Sequence, residues 1–99
     1  MRHYFHRTDE NQTALVKCLR RLGIKVHVWG AEADLICQYG GMTMLCEVRP
    51  EGHPREPRKG RQKAFQDHFM VYWLQTTEDC EQLAKTLRKW QDACCERAV

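Results

Sequence analysis

The 99-residue chain contains no serine, which excludes the serine hydrolases and any other mechanism with a serine nucleophile. A P-loop and a G-x-G-x-x-G stretch are also missing, so the common nucleotide-binding motifs are absent. No apolar run approaches the roughly 18–20 residues that cross a bilayer, and the first ten residues lack the apolar stretch of a signal peptide. We therefore expect one globular domain over residues 1–99, located in the cytoplasm, with no membrane partner.

Six cysteines are present, but no two of them form a C-x-x-C pair. Cys18, Cys37 and Cys46 fall inside apolar periodic segments, where a free cysteine behaves as a small hydrophobic residue. We interpret the cysteines as core or incidental thiols in a reducing compartment. A structural zinc site and a thiol-redox function remain alternatives that the cysteine count alone supports.

The formal net charge is only +3, and the basic residues are unevenly distributed. Between residues 49 and 63 the chain carries six basic and only two acidic residues, in a stretch that includes the proline-rich segment 50–61. A basic segment of this kind suits contacts with nucleic-acid phosphates, although solvated loops are often basic without a ligand. The candidate nucleic-acid-binding residues are Arg55, Arg58, Lys59, Arg61 and Lys63.

The first half of the chain predicts one helix and three strands. Apolar residues at helical spacing predict a helix over 9–22, and alternation of apolar and polar residues predicts a strand over 24–29. Two further apolar runs, 33–39 and 42–48, flank Gly40–Gly41. Two glycines between such runs indicate a tight hairpin, because both central residues of the turn need positive φ.

The second half predicts a loop, a helix, a strand and a final helix. The segment 50–60 has three prolines and no apolar periodicity, so it is predicted to be an exposed loop. Helical spacing resumes over 61–69, a short apolar strand is predicted over 70–75, and a helix capped by Thr76 or Thr77 is predicted over 76–98. The predicted buried stripe of this last helix comprises Cys80, Leu83, Leu87, Trp90 and Cys94.

This order of elements predicts an α/β fold with a four-stranded mixed sheet flanked by helices, in which the fourth strand is reached by a helical crossover. If Gly40–Gly41 forms a two-residue turn, Asp34 lies directly opposite Glu47. Opposed side chains lie on the same face, about 4.5–5.5 Å apart at Cβ. Ile36 and Leu45 form the next pair on that face, so the face is at least partly apolar.

Two carboxylates in this position repel each other unless a cation or a proton lies between them. Hard divalent ions such as Mg²⁺ bind carboxylate oxygens at this kind of separation and fill the remaining positions with water and phosphate. The alternatives are that both acids face solvent or that the hairpin register slips by one residue. The pair Asp34 and Glu47 is our candidate metal site.

The same register places Glu32 opposite Arg49. Arg49 is thus a candidate for a cross-strand ion pair with Glu32. Because Glu47 and Arg49 are two residues apart and share a face, Arg49 is equally a candidate to reach the metal site. The two possibilities stay open at this point.

Four features occur in order along the chain. They are Glu10 in the first helix, the segment GAEAD that ends at Asp34, the segment EVR at 47–49, and Gln62 at the start of the helix after the basic loop. In this αβββαβ(α) order they resemble the PD-(D/E)XK nuclease superfamily, which has the restriction-endonuclease-like fold. Within it, the chain is most similar to the VRR-NUC type, which is found in phages and is related to Holliday junction resolvases.

The resemblance implies that Asp34, Glu47 and the Val48 carbonyl bind Mg²⁺ or Mn²⁺. It implies that Glu10 holds a ligand water or a second ion, and that Gln62 completes the site. Gln62 alternatively caps its helix or is solvated. The implied function is a divalent-metal-dependent endonuclease that hydrolyses DNA, with branched or flapped DNA as the expected substrate. The resemblance also suggests a phage or prophage source.

One residue departs from the family pattern. The family has lysine where this chain has Arg49, and arginine remains protonated, so it cannot act as a general base. Arginine can still bind a phosphate and stabilise developing negative charge. Lys59 or Lys63 is a candidate to supply the missing ammonium group.

Two function hypotheses follow. The first is an active nuclease, whose small size favours a homodimer formed through strand 70–75 or the Cys94-bearing helix. The second is a catalytically silent module that keeps the nuclease fold and binds DNA or a partner protein, as Arg49 suggests. Cleavage of DNA in Mg²⁺ or Mn²⁺ distinguishes the two.

Overall fold

The computed structural model of the protein describes residues 3–57 and 60–98. In chain order the elements are α1 (His3–Arg21), β1 (Lys25–Val28), β2 (Leu35–Tyr39), β3 (Met42–Val48), α2 (Arg61–Gln66), β4 (Tyr72–Leu74) and α3 (Thr77–Ala98). The predicted order of helices and strands is confirmed. α1 begins six residues earlier than predicted, whereas α2 and β4 are shorter than predicted.

The four strands form one mixed sheet in the order β1-β2-β3-β4. β1, β2 and β3 are antiparallel neighbours, and β4 pairs parallel to β3 after the crossover that contains α2. Gly40 and Gly41 both have positive φ, at 54° and 86°, and Tyr39 pairs with Met42 across them. The predicted hairpin register is therefore confirmed, and the mixed sheet with flanking helices is the observed architecture.

One face of the sheet, which we call the core face, carries Leu35, Cys37, Met44, Cys46 and Val48, all of them buried. α1 and α3 pack against this face through leucines that are almost fully buried. Burial raises the pKa of the Cys80 thiol to about 12, so this cysteine remains protonated at neutral pH. The remaining buried side chains of this core include Leu15, Leu19, Leu74, Leu83 and Leu87.

Two residues of the predicted stripe of α3 are not buried. Trp90 is 42% exposed and Cys94 is exposed, so the prediction for these two residues is wrong. The stripe continues from Leu87 to Gln91 at a spacing of four residues, and a Cβ atom at Gly40 would collide with the Gln91 side chain. α3 therefore passes the hairpin turn with Gln91 directed towards it. The Gln91 amide is the flexible end of its side chain and can move aside, so it is the positive φ of Gly40 that requires glycine there.

The N-terminus of α3 is capped as predicted by Thr76. The Asp79 N–H donates to Thr76 Oγ1 at 3.3 Å, and Asp79 Oδ2 accepts the Thr76 N–H at 3.1 Å. This reciprocal arrangement is a capping box with aspartate in the third helical position. It fixes the point at which the chain leaves β4 and turns back over the core face.

The opposite face of the sheet, which we call the second face, carries Ile36, Gln38, Thr43 and Leu45, because side chains alternate along a strand. These four side chains are partly or fully exposed. α2 lies over one end of this face, where Gln62 contacts Glu47. In the described part of the chain, α2 thus covers the end of the second face at which Asp34 and Glu47 lie.

Candidate active site

The hairpin brings Asp34 and Glu47 together at one end of the second face. Asp34 immediately precedes β2, and the last ladder pair joins Leu35 to Cys46. The Asp34 N–H donates to Glu47 Oε1 at 3.1 Å, and the Val48 N–H donates to Asp34 Oδ2 at 2.8 Å. Each carboxyl group is thus held by the backbone of the opposite strand, and the two groups lie side by side as the register predicts.

Glu47 is the most deeply buried charged residue described, with 1% of its surface exposed. Burial raises the pKa of Glu47 to about 8, and the neighbouring Asp34 carboxyl adds to this rise, whereas the charge of Arg49 opposes it. In the absence of a cation Glu47 thus holds its proton at neutral pH. The alternative that both acidic side chains face solvent does not hold for Glu47, because its side chain is buried.

Arg49 is also buried, at 6% exposure, and its guanidinium turns towards the acidic pair. It donates to the Val48 carbonyl at 3.1 Å and to Gln62 Oε1 at 2.7 Å, and one nitrogen lies 3.7 Å from Glu47 Oε2. Arg49 therefore reaches the acidic pair, as one of the two possibilities predicts. The ion pair between Arg49 and Glu32, which was the other and did not exclude the first, is not what the structure shows: the Glu32 carboxylate contacts Arg61.

The Gln62 side chain forms hydrogen bonds with both Glu47 and Arg49. Its side-chain nitrogen donates to Glu47 Oε2 and its oxygen accepts from Arg49. Since Gln62 lies in the first turn of α2, it reaches the sheet only because the crossover returns over the second face. The interpretation of Gln62 as a site residue fits this position, and the capping or solvated alternative does not.

Two further residues support Arg49, and neither was identified from the sequence. Trp73 is the β4 partner of Glu47 in the parallel ladder, and its ring lies 4.9 Å from the Arg49 guanidinium carbon, a cation–π distance. Asn11 Nδ2 donates to the Arg49 carbonyl at 3.4 Å. A tryptophan in an apolar run and an asparagine in a polar helix turn give no signal of such contacts.

Glu10 lies apart from the contacts that join the other four predicted residues. It is exposed and lines an open groove with Thr13, Lys17 and Thr77 between α1 and the start of α3. It is the neighbouring Asn11 that α1 turns towards the site. A role for Glu10 as holder of a ligand water therefore stays a prediction without structural support.

The basic residues of the crossover are held by acidic or polar partners. Arg55 is half exposed and contacts Asp79 and Gln75 at the start of α3. Lys63 contacts Asp67 one turn later in the chain at 3.3 Å, so its ammonium group does not replace the missing lysine in this structure.

Arg61, whose side chain is 87% exposed, contacts Glu32, and this contact lowers the pKa of Glu32. The remaining two predicted contacts, Arg58 and Lys59, lie outside the described residues. Arg61 and Lys63 flank Gln62 on α2, so they are the basic residues closest in sequence to this member of the site.

Among the described residues, no group of three or more histidine, cysteine, aspartate or glutamate side chains is arranged to hold a metal ion. The described side chains thus show no structural zinc site, and the free thiols among them are Cys18, Cys37, Cys46, Cys80 and Cys94. Asp34 and Glu47 still offer two carboxylates, and Mg²⁺ is commonly bound through one or two carboxylates with water and substrate phosphate completing its shell. The acidic pair fits such an ion.

No protein-family model, curated protein or solved structure matches this chain. None of the described helices is long and apolar enough to cross a membrane.

Proposed function

We propose that the protein is a divalent-metal-dependent nuclease with a restriction-endonuclease-like fold, which hydrolyses phosphodiester bonds in DNA. The observation that supports the proposal most strongly is the joined group of Asp34, Glu47, Arg49 and Gln62 at one end of the second face. The sequence predicts each of these four as a site residue, and they come from three separate segments of the chain, at 34, 47–49 and 62. Such convergence is expected of a reaction site and serves no evident purpose in the core.

The acidic pair is suited to a doubly charged ion. With Glu47 protonated, the acidic pair carries at most one negative charge, which the charge of Arg49 balances. With the proton replaced by Mg²⁺ or Mn²⁺, the same group carries a net charge of +1, which attracts a phosphodiester. A bound ion of this kind polarises a phosphate, lowers the pKa of a bound water and stabilises a leaving oxygen.

The residues of the chain have distinct proposed roles. Asp34, Glu47 and the Val48 carbonyl hold the ion, and Gln62 orients the Glu47 carboxylate through its amide. Arg49 binds the phosphate and stabilises negative charge that develops on it, since a guanidinium cannot accept a proton at any relevant pH. Trp73 and the Gln62 side-chain oxygen hold the guanidinium in place.

A second candidate function is favoured by the contacts of Arg49. Its guanidinium already occupies the Val48 carbonyl and lies beside Glu47, which are two of the proposed ligands. If Arg49 takes the place of the metal ion in this way, the protein keeps the nuclease fold and binds DNA or a partner protein without cutting. The charge balance above favours the active enzyme, because a divalent ion adds the charge that phosphate binding needs.

A cleavage assay tests the proposal. Purified protein is incubated with circular, linear, branched and flapped DNA in Mg²⁺ or Mn²⁺, beside the double variant Asp34→Asn/Glu47→Gln. We expect cutting by the wild type, loss of cutting in EDTA, and loss in the double variant, because both carboxylates are removed without a change of shape. Glu10→Gln is the matched control: it removes an equally acidic side chain outside the joined group and should leave cutting intact.

Arg49→Lys separates the two candidate functions. If the site is active, lysine at this position retains or raises the rate of cutting, because an ammonium group supplies the same charge. Binding of DNA that persists in EDTA, with no cutting by the wild type or by Arg49→Lys in either metal, contradicts the nuclease proposal and supports the silent module.

We also propose that the nuclease acts as a homodimer, since a domain of this size offers little surface for gripping a duplex. β4 lies at an edge of the sheet, and this edge is the surface that we propose for contact with the second copy. Cytoplasmic location and a phage or prophage origin remain predictions of the sequence.

A further inference from the structure

An aromatic cluster lies beside the candidate active site and is not used by the proposed chemistry. The ring centroids of Trp29 and Phe65 lie 6.1 Å apart in an edge-to-face arrangement, and those of Phe65 and Phe69 lie 4.6 Å apart in a stack. We call Trp29, Phe65 and Phe69 the aromatic cluster.

The cluster is attached to the site at two points. The backbone N–H of Trp29 donates to the Asp34 carbonyl at 2.9 Å. The loop that carries Trp29 therefore ends at Asp34, the first residue of the acidic pair. Phe65 follows Gln62 by three residues of helix, a rise of about 4.5 Å. Residues three apart lie on the same side of a helix, so the cluster lies beside the glutamine that contacts Glu47.

Much of the cluster is open to solvent. Trp29 is 38% and Phe69 is 55% exposed, and Val28 and Met70 beside them in the chain are 50% and 71% exposed. Phe65 covers one face of the Phe69 ring, so the exposed part of that ring consists of its other face and its edge. Contiguous apolar surface of this kind marks an interaction site more often than isolated exposed residues do.

We propose that the aromatic cluster stacks unpaired bases next to the phosphate that is cut, and that the substrate is therefore DNA with a single-stranded segment at the cleavage site. The inference rests on the proposed nuclease function. Exposed rings bind unpaired bases without sequence preference, because every base has a π face. Paired bases inside a duplex are already stacked and cannot use such a surface.

The charges around the cluster favour a nucleic acid as its occupant. Arg61 and Lys63 lie on the helix that carries Phe65, and their side chains are 87% and 62% exposed. Each is paired with a carboxylate near the surface, and pairs of this kind contribute little stability and are readily exchanged for a phosphate. Stacking rings between exposed cations are the arrangement that single-strand-binding proteins use.

The area of the patch argues against a second copy of the chain. Side chains of this size bury about 150–250 Å² when fully covered, and the four exposed residues 28, 29, 69 and 70 are only about half exposed. They supply well under the roughly 800 Å² that each partner of a stable dimer buries.

Binding in the absence of metal tests the inference. Fluorescence anisotropy is measured in EDTA with a labelled single-stranded oligonucleotide, a flapped duplex and a blunt duplex. The variants are Phe69→Ala, Phe69→Tyr, Trp29→Ala and Trp90→Ala. Trp90→Ala is the matched control, because Trp90 is exposed to a similar degree and lies near the end of α3, outside the cluster.

We expect the wild type to bind the single strand and the flap more tightly than the blunt duplex. Phe69→Ala and Trp29→Ala should each weaken binding to unpaired DNA by about 5- to 100-fold, whereas Phe69→Tyr and Trp90→Ala should bind like the wild type. All four changes are at exposed residues, and circular dichroism verifies that the variants fold. Equal binding to all three DNAs, or unchanged binding by both alanine variants of the cluster, overturns the inference.

The outcomes distinguish this inference from the proposed function. Cutting that depends on Asp34 and Glu47 but is unaffected by Phe69→Ala and Trp29→Ala overturns the stacking role alone. Binding that depends on the cluster without cutting in any metal overturns the nuclease and keeps the single-strand-binding surface. Sedimentation that shows a wild-type dimer and a monomeric Phe69→Ala variant assigns the patch to subunit contact and overturns the inference.

Discussion

Along β3, Cys46 and Val48 turn into the core face of the sheet, whereas Glu47 turns to the second face and Arg49, which follows the strand, joins it there. The same stretch of backbone thus serves the hydrophobic core on one side and the candidate site on the other. On the core face α1 and α3 exclude water with leucine and cysteine side chains. On the second face only α2 covers the strand end, and it contributes no buried residue.

The two faces achieve burial by different means. The core face gains stability from apolar area removed from water, and close packing makes it sensitive to volume. The second face buries Glu47 and Arg49 through hydrogen bonds, an ion pair and the Trp73 ring, an arrangement whose desolvation cost offsets much of its attraction. The second face therefore contributes less stability than the core face, as expected if it is the proposed ligand site.

The largest expected difference between the faces is in the response to a lost side chain. Leu35→Ala, at a fully buried position on the core face, should lower the free energy of unfolding by about 2–5 kcal/mol because it leaves a cavity. Leu45→Ala removes the same atoms from a partly exposed position on the second face and should lower it by about 1 kcal/mol. Urea denaturation of both variants measures the difference, and equal losses would contradict the division of the sheet into two faces.

The next effect is the pH dependence of stability without metal. The pKa of Glu47 is raised from its ordinary value of 4.5 to about 8 in the folded protein. Between these values the unfolded chain releases a proton that the folded protein keeps, so the free energy of unfolding falls as pH rises and levels off above about pH 8. The fall should be on the order of 5 kcal/mol, because each pH unit between the two pKa values contributes about 1.4 kcal/mol.

Glu47→Gln isolates this contribution, because it keeps the shape of the side chain and removes its titration. Thermal unfolding of the wild type and the variant is followed from pH 4 to pH 9 in EDTA. The difference between the two curves should grow across the window between the two pKa values. Parallel curves would show that the site does not hold Glu47 in its protonated form.

The smallest of these effects is the contact between Arg49 and Trp73. A double-mutant cycle with Arg49→Met and Trp73→Leu should give a coupling free energy of about 0.5–2 kcal/mol, as expected for a partly desolvated cation–π pair. The cycle is measured by denaturation at pH 7. Absence of coupling would mean that the ring does not position the guanidinium, and Trp73 would then be only a packing residue.

The sequence predicts the hairpin and the acidic pair because a two-residue glycine turn leaves only one register for the strands on either side. It does not predict Trp73 beside Arg49, since the parallel register between β3 and β4 depends on a long crossover that has no local signal. The contact of Arg55 with Asp79 is similarly distant in sequence, at 24 residues.

The error at Trp90 has a different origin. Helical periodicity predicts which residues share a face but does not predict which of two neighbouring stripes meets the sheet. Gln91, a polar residue, takes the inward position because it packs against the glycine turn. The steric demand of that turn is a tertiary property and has no trace in the periodic pattern.

The central claim is that Asp34 and Glu47 hold one divalent ion, and calorimetric titration with Mn²⁺ at pH 7 tests it most directly. We predict one ion per chain, with release of close to one proton that is detected by repeating the titration in buffers of different ionisation enthalpy. The double variant Asp34→Asn/Glu47→Gln should bind none at this site, and Glu10→Gln should bind like the wild type. Unchanged binding by the double variant, or no binding by the wild type at millimolar Mn²⁺, would contradict the account.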